Sequence, residues 1–165
     1  VKFIEKFCEI LSEQLTLHEK LLTLSQDKKT ILIEGSLPKL EKIIKEEHNL
    51  IQESRHLEKD RNAMIQQLAE SLKIAPDNVT ISFLIEVVQE DIAKQRLSSL
   101  KEKLEEVLKE LSQVNQLNAK LLKQSLEYIQ TTMESITDDP EQEMVYGNPS
   151  KSNAKKGRSV FDTRT

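Results

Sequence analysis

The chain has 165 residues, 37% of them hydrophobic and 32% charged, with only 3 Gly, 4 Pro and no Trp. Such a profile belongs to long amphipathic helices and excludes a Gly-rich, turn-rich β protein. A net charge of −4 removes the pull on phosphate backbones that general nucleic-acid binders rely on, and no apolar run approaches the roughly 20 residues of a membrane helix. The opening VKFIEKFCEIL is punctuated by charge, unlike the apolar stretch of a signal peptide. A single cysteine, Cys8, permits no internal disulfide, which fits a reducing compartment. A soluble, cytoplasmic chain is therefore expected, with neither nucleic acid nor membrane insertion among its functions. The start at Val1 leaves the native N-terminus open.

From Lys2 to Glu34 there is no Gly or Pro, and Phe3, Phe7, Ile10, Gln14, Leu17, Leu21, Leu24, Lys28 and Ile31 recur in steps of four and three. That is the spacing of a coiled-coil seam. A second stripe lies beside it at Ile4, Cys8, Leu11, Leu15, His18 and Leu22. Two adjacent stripes make a face too wide for one partner, so this helix is expected to touch two others. Gly35 can end it in the left-handed conformation, Ser36 can cap the next helix, and Pro38 falls in a first turn where its missing N–H costs little. The second helix, from about Leu37 to Lys73, has a thinner seam (Leu40, Ile43, Leu50, Leu57, Met64, Leu68) interrupted by Glu47, Ser54 and Arg61. So short a connection makes the two helices an antiparallel hairpin.

IAPDNVT then reads as a turn. ISFLIEVV is apolar and β-branched, but nothing else in the chain would pair with it as a strand, so a short helix capped by Thr80 is predicted. The longest helix runs from about Asp91 to Ile136. After it, the segment around YGNPSKSNAKKGRS loses all periodicity and reads as a disordered tail. The expected organisation is a helical coiled-coil domain over residues 1–137 and a flexible tail over 138–165. The fold class is all-α: a long antiparallel hairpin plus a long third helix, forming a three-helix bundle.

The last helix carries two faces that are out of step. Ala93, Leu97, Leu100, Leu104, Val107, Leu111, Val114, Asn118, Leu121, Ser125 and Tyr128 form one seam, which dies at Thr132 and Ser135. A second stripe begins just before that point: Leu122, Leu126, Ile129, Met133 and Ile136, with Asn115 one heptad upstream. At about 1.5 Å per residue the first helix spans roughly 50 Å and the last nearly 70 Å, so the end of the last is expected to overhang the hairpin. Apolar side chains on an overhang mark a binding site, whereas Asn118 within the seam would set register. The plainer reading makes the stripe ordinary core, covered by the short helix folding back or by self-association.

Catalytic motifs are lacking. His18, His48 and His56 are scattered, Cys8 has no partner at zinc-site spacing, and no phosphate-cradling Gly loop or HExxH occurs. No enzymatic activity, metal or cofactor is expected. Helical bundles can carry a phosphorylated histidine, yet each histidine here is explained as a solvated helix residue.

The order of a long helix, a Gly-containing break (IEGSLPKLEKI), a second helix, a short apolar helix and a last helix bearing NxxN and LLKQSLEYI resembles FlgN-type flagellar export chaperones. Tyr146-Gly147 in the tail and the ending SVFDTRT are also similar to members of that family. The resemblance implies a cytoplasmic chaperone for late-exported hook–filament junction proteins. It would cover their C-terminal amphipathic segments, prevent premature assembly and deliver them to the type III export gate or the export ATPase complex. It places substrate contacts on Asn115, Asn118, Leu122, Ser125, Leu126, Ile129 and Met133, which Ile136 extends along the stripe, and export-gate docking on Tyr146. Such a protein would be a monomer or weak dimer when free. The competing class is a structural, self-associating coiled-coil adaptor.

Overall fold

The computed structural model describes residues 2–137, and these are almost wholly helical. The order is α1 (Lys2–Glu34), α2 (Leu37–Leu72), a 3-10 turn (Pro76–Asn78), α3 (Ile81–Val87) and α4 (Asp91–Thr137). The expected tail lies outside the described residues. The chain divides into two units, residues 1–122 and 123–165, so α4 belongs to the first as far as Leu122 and to the second from Lys123.

Local chemistry sets the ends of the elements in the first unit. Gly35 has φ +76°, and its N–H closes on the Ile31 carbonyl at 2.9 Å, the left-handed stop that a residue with a Cβ adopts at a cost. Ser36 does occupy the N-cap of α2, yet its side chain makes no capping bond. A capping oxygen accepts from the N–H of the second or third helical residue, and the second is Pro38, which has none. Thr80 behaves as the sequence predicts: its hydroxyl oxygen accepts from the Phe83 N–H at 3.1 Å. α2 ends at Lys73 with φ 55°, and the Ile74 N–H reaches back to the Ala69 carbonyl at 3.0 Å. That bond is the signature of a Schellman termination.

α1 and α2 pack as an antiparallel hairpin, and the polar residues that interrupt their seams meet each other. Arg61 Nη1 donates to Gln14 Oε1 at 3.4 Å, and Lys28 Nζ donates to Glu47 Oε2 at 3.2 Å. The residue numbers of both pairs add to the same total, as an antiparallel register requires. α4 runs parallel to α1. Its first turns, with Leu97, Leu100 and Leu104, share a core with Phe7, Cys8, Leu11 and Leu15, and further along Asn115 and Asn118 bond to Ser25. α1 thus touches two helices, as its double stripe predicts. α2 buries only Ile43 and Ala69, in keeping with its thinner seam.

α3 closes one end of this unit. Leu84 is fully buried among Phe7, Leu11, Ala69, Val79 and Leu97, with Phe83, Ile85 and Val88 packed around the same cluster. A strand-like composition has been overruled here. No strand is available among the described residues for ISFLIEV to pair with, so it satisfies its backbone as a single capped helical stretch.

Candidate functional site

Along α4 one heptad seam passes through three environments. Leu97, Leu100 and Leu104 are buried in the cluster with α1 and α3. Val107, Leu111 and Val114 are half-buried. Asn118 is again only 4% exposed: its Nδ2 donates to the Ser25 carbonyl at 2.8 Å, while the Ser25 hydroxyl donates to Asn115 Oδ1 at 3.1 Å. Asn118 Oδ1 is buried with no hydrogen-bond partner among the described residues. A polar group in a seam is tolerated only when bonded, and here the backbone of α1 supplies the bond. Asn115, expected to be available to a partner, already engages Ser25. Leu121, near the end of the first unit, is half-buried; in the second unit Ser125 is half-buried and Tyr128 is 73% exposed.

The second stripe is solvent-facing throughout. Leu122, the last residue of the first unit, and Leu126, Ile129, Met133 and Ile136 in the second are between 41% and 59% exposed. They alternate in steps of four and three and so lie on one side of the helix, over about 21 Å. Within the second unit Thr132 Oγ1 donates to the Tyr128 carbonyl at 2.9 Å and Gln130 Nε2 to Glu134 Oε1 at 3.3 Å. Both are local bonds, each between residues four apart on the helix. Tyr146 lies outside the described residues.

Seam periodicity alone passes over a second set of apolar positions. Leu37, Ile44 and Ile51 on α2 and Leu108 on α4 are exposed, although none belongs to the seams read from spacing. Their signal was a repeat of seven one column away from the seam. On the opposite side of the hairpin, α1 and α2 enclose two shallow grooves of about 660 and 440 Å³, which share Lys20 and are floored by leucines such as Leu17, Leu24, Leu50 and Leu57.

The ionisable residues offer little chemistry. Burial holds the His18 imidazole below its ordinary value, helped by the Arg61 guanidinium and opposed by Glu58. Burial likewise pushes the Cys8 thiol up, with Arg96 opposing, which makes a thiolate nucleophile unfavourable there. His48 and His56 are exposed, and no group of three His, Cys, Asp or Glu side chains among the described residues is placed to hold a metal. No helix of the described residues is long and apolar enough to cross a membrane.

Residues 3–154 match the family described as FlgN protein. The chain is also 33% identical over 128 residues to the uncharacterized protein YvyG of Bacillus subtilis (strain 168), an alignment that covers 78% of this chain and 77% of YvyG. No solved structure matches it. An all-α hairpin with a long last helix, together with a family match over nearly its whole length, places the chain in the FlgN family of flagellar export chaperones.

Proposed function

We propose that this chain is a cytoplasmic, non-enzymatic chaperone of type III flagellar export that holds the C-terminal amphipathic segments of hook–filament junction proteins. The observation that carries the reading is the exposed stripe Leu122, Leu126, Ile129, Met133 and Ile136. Five large apolar side chains on one helical face suit a partner helix presenting its own i, i+3 and i+4 anchors. Each side chain fully covered contributes roughly 1.5–3 kcal/mol, less the entropy of ordering the partner. Asn118, buried on the Ser25 carbonyl, holds the internal seam beside the stripe, while Asn115 and Ser125 border it and offer polar contacts where the partner begins. Covering the segment keeps it from assembling early. Delivery follows through docking at the export gate, assigned to Tyr146, with the free chaperone a monomer or weak dimer.

The test is titration of a junction-protein C-terminal peptide against the full chain and against a Leu126→Asp/Met133→Asp variant. Binding to the first and none to the second, at equal helicity, is the expected result. Equal binding to both removes the stripe from the function, and a tight oligomer that sheds the peptide points to a self-associating coil instead.

A further inference from the structure

The hairpin has two sides, and only one is occupied by α4. In an antiparallel pair the columns flanking the seam on one side of the first helix lie on that same side of the second. α4 packs on α1 through the column containing Leu11 and Ser25. The corresponding column of α2 is Leu37, Ile44, Ile51, Glu58, Ile65 and Leu72, every seventh residue. Ile65 packs against the buried cluster where α3 sits, but Ile51, Ile44 and Leu37 are 38%, 47% and 68% exposed. The facing column of α4 repeats the pattern with Leu108 and Leu122 at 45% and 41%. α2 and α4 therefore stand apart over α1, and α3 fills the space between them at one end only.

Where α3 begins, the open groove ends in a cavity of about 260 Å³ whose lining includes Gln14, His18, Arg61, Ser82 and Leu108. His18 Nδ1 and Arg61 Nε are buried there without a hydrogen-bond partner. Among the described residues Arg61 bonds only to the neutral Gln14 amide, whereas Lys101, also at the cavity, is matched by Glu105 at 3.7 Å. A half-buried guanidinium with an unused N–H favours an anionic acceptor.

We propose that the α2–α4 groove receives an amphipathic helix of the cargo, laid end to end with α3. Its apolar side chains cover Ile44, Ile51, Leu108 and Leu122, and a carboxylate at its α3-facing end reaches Arg61. α3 shows what the groove accepts, since a short apolar helix of this chain already occupies its other end. From the level of His18 to Leu32 of α1 there is room for about 20 Å of helix. The inference rests on the chaperone reading above and gives the cargo a groove within the first unit, between α2 and the part of α4 that carries Leu108 and Leu122.

Two measurements on the full chain test it, with a fluorescent junction-protein C-terminal peptide as probe. In the first, Ile44→Asp/Ile51→Asp weakens binding at least about tenfold, the worth of one apolar anchor, with helicity retained. Replacing the peptide's terminal carboxylates by amides weakens it by about tenfold as well. Unchanged binding to Ile44→Asp/Ile51→Asp alongside loss in Leu126→Asp/Met133→Asp overturns the groove and leaves the chaperone reading standing. Unchanged binding in both variants removes both. The second measurement does not depend on tolerating the charges. A photo-crosslinker on Ile51→Cys captures the peptide, while one on His56→Cys, on the opposite side of the hairpin, does not. Capture of a second copy of the chain from position 51, or no capture there, overturns the proposal.

Discussion

The first turns of α4 and its last fifteen residues have the same apolar periodicity and opposite fates. Leu97 is wholly buried, whereas Leu126 and Ile136 are each 59% exposed. Leucine and isoleucine differ little in hydrophobicity, so the residue type cannot explain the contrast. What differs is the neighbourhood: Leu97 sits where α1, α2 and α3 all contribute side chains. A heptad pattern states that a helix has a face for a partner; it does not state that the partner belongs to the same chain.

Several substitutions break or sharpen this contrast. Leu97→Ala leaves a cavity in the buried cluster and is expected to cost about 2–5 kcal/mol, read as a large drop in melting temperature. A loss below about 1 kcal/mol would show the two ends of α4 to be alike. Asn118→Ala removes the side-chain bond from α4 to the Ser25 carbonyl, which keeps its own helical N–H, and is expected to cost about 0.5–1.5 kcal/mol by denaturant titration. If Asn118→Ala were neutral, that layer would already be solvated, and the ordered part of α4 would end earlier.

A smaller effect is expected from pH. Burial and Arg61 hold His18 below its ordinary 6.5 in the folded state, so the unfolded chain binds the proton more readily. Stability from this group is therefore complete above about 6.5 and is lost as pH falls from there toward the lower folded value. Melting temperatures at successive pH steps through this window should fall more for the wild type than for His18→Gln. Parallel curves would remove His18 from the account. The smallest stability effect belongs to Leu126→Asp/Met133→Asp, within about 0.5 kcal/mol per site, because the two side chains are already 59% and 44% exposed. If that variant melts as badly as Leu97→Ala, the stripe is internal core.

Much of the fold was legible because it depends on neighbours in sequence. Gly35 stops α1, Thr80 caps α3, and the double stripe of α1 requires two partners. Ser36 stands at the N-cap of α2 as read, but it makes no side-chain capping bond, and Pro38 removes one of the two N–H groups it could have served. The pairing of Gln14 with Arg61 and Lys28 with Glu47 was hidden, since each residue looks like a flaw in its own seam until the register brings the flaws together. Ile44 and Ile51 were passed over for a related reason: they stand one column off the seam, and only the spacing between α2 and α4 leaves them exposed.

The sequence by itself determined the helices, their ends, the hairpin and the existence of a second apolar face on α4, all consequences of local capping and of a period near 3.5 residues. Tertiary structure alone decided which polar residues are paired, that Asn115 and Asn118 are engaged by Ser25, and that Tyr128 is exposed. The physical reason is that burial belongs to pairs of surfaces. A side chain's chemistry is written at its own position, but the atoms that will cover it are supplied by residues tens of positions away, and only the packed register says which.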